Sequence, residues 1–468
     1  MIRYISTRGG GEPQTFEQVL LSGLAPDGGL YVPESWPQID VQSLKGKSYT
    51  EIALAVMYPF VEGCIPKDDF QDIIETTYGY AYFRSEKVTP LHHLKNYQND
   101  QIYVMEQFHG PTIAFKDVAL QLLGRLFDYV LKKQNKHITI VGATSGDTGS
   151  AAIEGCKTSD QIDIFILHPK GRVSDVQRKQ MTSINQPNVH NIALHGAFDD
   201  CQNMVKAMFN DTEFRNGVNL SAVNSINWAR IMAQIVYYFS TAIELGAPER
   251  QSSFVVPTGN FGNVFAAYCA QNMGLPIKGL CVSTNRNDIL TRFFETGEMK
   301  LEDGHATLSP SMDIQISSNF ERFLFDLVDR DAEKLSDLMT TFKETGHFTL
   351  DDDLMAKARA QFSAARADDA QTLALIKECY DATGYVLDPH TAVGLEGAKA
   401  LADGSGDAVV LLATAHPAKF PDAVEKAIGE RPALPEHLSD LMEREEFATE
   451  QPNDLETVQT FVKDHTRV

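Results

Sequence analysis

The sequence predicts an α/β protein of mainly parallel sheets flanked by helices. Three observations carry that expectation. Apolar runs of strand length recur at 138–143, 162–167, 189–194, 220–223, 254–257, 280–282 and 409–413. Stretches of helical length separate most of them. Glycine-rich turns follow two of the runs and open helices, the place where open α/β folds keep their sites.

In chain order, residues 1–95 read as a small α+β unit. A helix is expected over 15–21, then Asp27-Gly28-Gly29 marks a tight turn before the strand-like Leu30-Tyr31-Val32. Helices follow over 49–58 and 68–77, and none of this carries chemistry. The first residues hold no apolar core of signal-peptide length, so the chain is expected to be soluble and unprocessed. Its 468 residues allow two or three domains, and 43% apolar with 22% charged residues is ordinary for a globular protein. A net charge of −22 argues against a nucleic-acid or membrane-surface binder, yet leaves room for a local anion pocket. The six cysteines are scattered with no metal-like pair, so no metal site is expected, and reduced thiols in a cytoplasm are.

The stretch 108–133 organises the rest. Val118, Leu122, Leu126 and Val130 recur every fourth residue, and Gly110 and Pro111 precede them, so a helix should begin near 115–117. Lys116 then falls on its first turn, where the helix dipole disfavours a cation. That field and the apolar Phe108, Ile113, Ala114 and Phe115 should depress its pKa. Such a lysine is a nucleophilic amine that can hold a carbonyl cofactor as a Schiff base. The plainer alternative is a surface lysine beside a salt-bridging Asp117.

Four further segments bear on a site. After the run 138–143, Thr144-Ser145-Gly146-Asp147-Thr148-Gly149 leads into a helix, a geometry that gathers amides and hydroxyls around an anion. No lysine follows these glycines, so a nucleotide phosphate loop is excluded. Asn224, Ser225 and Asn227 precede an apolar helix as capping residues would, but Arg230 between Ala229 and Ile231 asks for a fixed anion. Thr258-Gly259-Asn260-Phe261-Gly262-Asn263 joins a strand to a helix and forms a second backbone cup for a phosphate, or a plain turn. The run 409–413 ends at Thr414. Segment 168–181 is locally basic and reads as a solvated loop and helix start, 300–365 as charged and helical, and Asp388-Pro389 as the start of a helix. His390 shows no acid or base partner.

His109 to Asp117, HGPTIAFKD, resembles the cofactor-lysine motif of the threonine synthases, pyridoxal-phosphate enzymes of fold type II. The later segments follow in that family's order, and the Tyr4–Gly9 stretch resembles its N-terminal start, so the likeness spans nearly the whole chain. It implies two α/β domains with the cofactor between them, 96–135 with 223–468 and 136–222, plus an N-terminal domain at 1–95. Lys116 would bind pyridoxal 5'-phosphate, Gly259, Asn260, Phe261, Gly262 and Asn263 its phosphate, and Thr414 its ring nitrogen. Thr144, Ser145, Asp147 and Thr148 would grip the substrate's α-carboxylate, although at 147 two anionic oxygens would repel if the ring hydroxyl lay alongside. Asn224, Ser225 and Arg230 would take the substrate's phosphate, with Ser317, Ser318 and Asn319 lining the site or capping a helix. The implied reaction turns O-phospho-L-homoserine and water into L-threonine and phosphate, in a cytoplasmic monomer or homodimer. Its alternatives are a serine or threonine dehydratase of the same fold and a catalytically silent relative.

Overall fold

Strands and helices form where the apolar pattern alternates, and a parallel sheet organises each of two units. A computed structural model describes residues 1–222 and 225–468. The units are Met1–His109 with Ser225–Pro432, and Gly110–Asn224 with Ala433–Val468. These limits differ from the expected ones. Residues 110–135 and 433–468 belong with the smaller sheet, and 1–95 with the larger body. Packing explains the difference: the helix Lys116–Gln134 lies on the helix Asp147–Cys156, and the helix Leu455–His465 on Phe198–Asn210.

In the larger unit the six-stranded sheet runs Phe362–Arg366, Ile277–Thr284, Ser252–Pro257, Ala408–Ala413, Ile102–Glu106, Leu91–His93. All pairs are parallel except the last. The apolar pattern singled out the three buried strands in the middle, and passed over Ile102–Glu106 and the edge strands Leu91–His93 and Phe362–Arg366. The N-terminal residues gather on Trp228, which is 1% exposed, with the rings of Phe60, Tyr4 and Trp36 at 5.6, 6.0 and 6.1 Å. Trp228 begins the helix Trp228–Glu244, so this aromatic cluster fixes the helix that carries Arg230. Within 300–365 the helices Phe320–Leu327, Ala332–Thr345 and Asp352–Gln361 form as expected, joined by a strand at His347–Thr349.

The smaller unit has a five-stranded, wholly parallel sheet in the order Thr449–Gln451, Val189–Leu194, Ile162–Pro169, Ile138–Ala143, Leu220–Ser221. Its central strand Ile162–Pro169 is buried throughout, which is why it reads as an apolar run broken only by Asp163 before His168. Residues from the C-terminal part, Leu438 and Leu441, bury Ile113 together with Val176. The helices Lys116–Gln134 and Asp147–Cys156 cross at two glycines. A Cβ on Gly124 would lie 2.0 Å from the Gly155 carbonyl oxygen, and one on Gly155 2.4 Å from that of Leu120. Only glycine permits this approach, and it sets the spacing of the two helix N-termini that carry Lys116 and Asp147. Gly124→Ala or Gly155→Ala is therefore expected to destabilise the protein by about 2–3 kcal/mol, measured by denaturant unfolding. An unchanged midpoint would show that the crossing is looser than described.

Candidate active site

The smaller unit supplies the lysine. Its helix begins at Lys116, after Phe115 as N-cap. Just ahead, Ile113 has φ 54°, a left-handed conformation that a β-branched residue holds only under constraint. The constraint is Asp117, whose carboxylate accepts the Thr112 N–H at 2.8 Å and the Thr112 hydroxyl at 2.7 Å. Gln180 donates to the Thr112 carbonyl at 3.0 Å from outside the turn. Asp117 thus braces the turn and is itself fully buried, so the surface-lysine alternative does not hold. Lys116 is 8% exposed, with Nζ 4.9 Å from the centre of the Phe115 ring and 3.2 Å from Asp147 Oδ2.

Asp147 opens the second helix after Gly146, whose φ of 143° and lack of Cβ let the Gln177 side chain lie close. Gln177 Nε2 donates to Asp147 Oδ1 at 2.8 Å. The expected partner for residue 147 was a cofactor or substrate group, and in the structure its carboxylate stands between a cation and an amide donor. Thr144 Oγ1 accepts the N–H groups of Gly146 and Gly149, each at 2.9 Å, so its oxygen shapes the turn. Ser145 is exposed and Thr148 half-buried at the same helix end. Segment 168–181 departs from the solvated reading: His168, Gln177, Gln180 and Met181 are buried, and only 170–175 face water. Gln177 was missed because an amide among Lys, Arg and Asp carries no periodic signal.

The larger unit supplies the second glycine turn. Thr258 is tied by its N–H to the Ser283 carbonyl at 2.8 Å. A Cβ on Gly259 would meet the Ser311 carbonyl oxygen at 2.9 Å. Phe261 is left-handed at φ 63° and precedes the helix Gly262–Asn272, whose first amides have no acceptor within the helix. Ser317 Oγ donates to the Gly259 carbonyl at 2.5 Å, and Asn319 donates to the Asn260 carbonyl through N–H at 3.1 Å and Nδ2 at 3.0 Å. With both carbonyls turned to 317–319, the trans peptide planes aim the N–H groups of Asn260 and Phe261 the other way. Outward N–H groups in this arrangement suit an anion. Asn319 makes no side-chain cap for the following helix, so the capping alternative for this segment gives way to a supporting role. Asn263 Oδ1 accepts the hydroxyls of Tyr237 at 2.5 Å and Tyr238 at 2.8 Å, and burial pushes both phenols well up, keeping them donors. Asn263 Nδ2 then donates to Gln107 Oε1 at 3.2 Å. Gln107 Nε2, fully buried, has no acceptor among the described residues.

Arg230 lies on the first turn of its helix, 5% exposed, and its Nε and Nη1 are buried without a hydrogen-bond partner among the described residues. Burial pulls its pKa down to about 10, so it remains a cation at neutral pH. Ser225 and the second turn share one support: Ser225 Oγ lies 3.2 Å from Ser318 Oγ, and Asn319 Nδ2 donates to the Ser225 carbonyl at 3.1 Å. Arg322, which the sequence reading passed over, donates to the carbonyls of Tyr31 at 3.0 Å and Ile226 at 2.6 Å, and to Asn319 Oδ1. Asn224 lies outside the described residues. Thr414 ends the strand Ala408–Ala413 with its N–H held by Thr391 Oγ1 at 3.3 Å. His390 does have an acid partner, Asp388, at 2.9 Å.

The larger unit thus brings together Ser225, Gly259 to Asn263 and their supports, with Arg230 and Thr414 on neighbouring elements, and the smaller unit brings Lys116 to Asp147. Residues 3–78 match the family model for the threonine synthase N terminus, 82–415 that for pyridoxal-phosphate dependent enzymes, and 391–462 that for the threonine synthase C-terminal region. The threonine synthase of Pseudomonas aeruginosa is 55% identical over 468 residues, covering 99% of this chain and 98% of that one. Among solved structures, the PLP-bound threonine synthase from Brucella melitensis has a TM-score of 0.97 at 51% identity and covers 100% of both chains. Yeast threonine synthase gives 0.93 at 40% identity, over 99% of this chain and 98% of that one. With these family models and relatives matched over nearly its full length, the chain belongs to the threonine synthase family of pyridoxal-phosphate enzymes.

Proposed function

We propose that the chain converts O-phospho-L-homoserine and water into L-threonine and inorganic phosphate, with pyridoxal 5'-phosphate as cofactor. The observation that carries this choice is Arg230. A buried guanidinium with two nitrogens lacking acceptors is costly until an anion reaches it, and a phosphate monoester matches both its charge and its fork of donors. Serine and threonine, the substrates of a dehydratase, bring no second anion for it. A silent relative would have no reason to keep a desolvated cation and a buried lysine–carboxylate pair.

Bound pyridoxal phosphate supplies an electron sink that stabilises negative charge next to the substrate's amino group. The cradle's close-packed Gly259 and outward amides fit its phosphate, so Gly259, Asn260, Phe261, Gly262 and Asn263 are assigned to it, and the Thr414 hydroxyl to its ring nitrogen. Lys116 would hold the cofactor, and its amine would take protons from the substrate's Cα and Cβ and return them to Cγ, where the phosphate leaves, and to Cα. Asp147 and Gln177 keep that amine aimed. The helix end at 144–149 takes the α-carboxylate, with Ser145 and Thr148 as donors and Thr144 shaping the turn. Arg230, Ser225 and Asn224 take the phosphate that leaves from Cγ before water adds at Cβ. The setting assigned is a cytoplasmic monomer or homodimer working on small molecules. It is supported by the net charge of −22 and by six cysteines outside any disulfide. No helix among the described residues is long and apolar enough to cross a membrane.

Lys116→Ala is expected to lower threonine formation by about 10³-fold or more, with phosphate release falling in step. Formation of 2-oxobutyrate from threonine, without phosphate release from O-phospho-L-homoserine, would replace this reading with the dehydratase. Arg230→Met should leave the unliganded protein as stable as before or stabler by about 1–2 kcal/mol, because it removes a buried unpaired charge. The same variant should raise KM for O-phospho-L-homoserine about 100-fold. A loss of stability with KM unchanged would make Arg230 a structural residue.

A further inference from the structure

Asp388, His390 and Thr391 are 1%, 3% and 0% exposed, and the reaction outlined above uses none of them. Asp388 caps the helix Pro389–Leu401: Oδ1 accepts the His390 N–H at 2.9 Å and Oδ2 the Thr391 N–H at 3.3 Å. A cap needs nothing more. Yet both side chains that follow it also turn back to the same carboxylate. His390 Nδ1 is 2.9 Å from Asp388 Oδ1, and the Thr391 hydroxyl donates to Oδ2. Four donors thus fill the carboxylate's capacity, so the buried anion is fully satisfied and its position is over-determined.

Each side chain then carries that position onward. His390 Nε2 is 3.2 Å from the Ser311 backbone nitrogen. A backbone N–H can only donate, so Nε2 accepts and the ring proton sits on Nδ1, facing Asp388. Ser311 is the residue whose carbonyl oxygen closes the space beneath Gly259. Thr391 Oγ1, having given its proton to Asp388, accepts the N–H of Thr414 at 3.3 Å. One arm therefore ends under the phosphate cradle and the other at the threonine assigned to the ring nitrogen.

We propose that Asp388 is a positioning residue that registers the two ends of the cofactor site, acting through His390 and Ser311 on Gly259 and through Thr391 on Thr414. The proposal rests on the cofactor roles given to Gly259 and Thr414. Asparagine at 388 would still cap the helix, but its amide would set a donor against either the His390 N–H or the Thr391 hydroxyl. Valine at 391 would keep the shape and remove the second arm.

The test compares Asp388→Asn, Thr391→Val and Thr391→Ser with Gly259→Ala and Thr414→Val. The dissociation constant of pyridoxal phosphate is measured by titrating cofactor-stripped protein. The visible absorbance maximum of the loaded protein and the melting temperature of the stripped protein complete the set. Asp388→Asn and Thr391→Val are expected to weaken cofactor binding about tenfold or more and to shift the absorbance maximum. Thr391→Ser should return both to within about twofold of wild type, since it restores the hydroxyl. If Asp388→Asn does not fold, Thr391→Val and its serine rescue decide. Wild-type affinity and spectrum in these variants, beside impaired Gly259→Ala and Thr414→Val, would overturn the proposal and leave Asp388 a cap. Wild-type affinity and spectrum in Gly259→Ala and Thr414→Val would overturn the cofactor roles beneath it, and the proposal with them.

Discussion

Lys116 and Asp147 form an ion pair at 3.2 Å, the lysine 8% and the aspartate 4% exposed, and the smaller unit is arranged around it. Two charges taken out of water hold together only if the geometry is good and the remaining oxygens find donors. Here Gln177 occupies the second carboxylate oxygen, and Ser174 donates to Gln177 in turn at 2.9 Å. The helices that carry the pair approach as closely as backbones can, at Gly124 and Gly155. The turn before Lys116 is braced by Asp117 and Thr112 and sealed by Leu438 and Leu441 over Ile113. The role proposed for Lys116, an amine that meets a carbonyl carbon and moves protons, asks for several independent constraints, and these suit it.

The larger unit states the same logic with two arginines. Both are buried, and burial pulls each guanidinium down to about 10. Arg322 gives its protons to Tyr31, Ile226 and Asn319, and by holding Asn319 it holds the support shared by Ser225 and the cradle at 259–263. Arg230 leaves two nitrogens without acceptors among the described residues. The first cation holds the segment together, and the second is the one proposed to meet the substrate's phosphate. The N-terminal region contributes to both, through the Tyr31 carbonyl and through the aromatic cluster on Trp228.

Much of this was legible in the sequence because it is local. The apolar runs at 138–143 and 189–194 became the strands Ile138–Ala143 and Val189–Leu194 without change, and the lysine helix began within the expected three residues. Glycine spacing between a strand and a helix marked both turns, at 144–149 and 258–263, since backbone geometry alone dictates it. What was not legible depends on residues far apart in the chain. Nothing near Asp147 announces Lys116 thirty-one positions away as its partner, and Arg230 and Arg322 look alike until their surroundings are known. The two units differ from the expected domains for a related reason: periodicity cannot say that residues 433–468 return to the smaller sheet. His390 is a different case, because its partner stands two residues earlier and an aspartate cap followed by histidine was a readable signal.

The proposed chemistry depends on Lys116, and no other amine, carrying the cofactor. Borohydride reduction of the loaded protein, followed by peptide mapping, would trap the attachment as a stable pyridoxyl group. One modified peptide is expected, spanning the helix start at 116. A pyridoxyl group on a different lysine, with Lys116 unmodified, would contradict it.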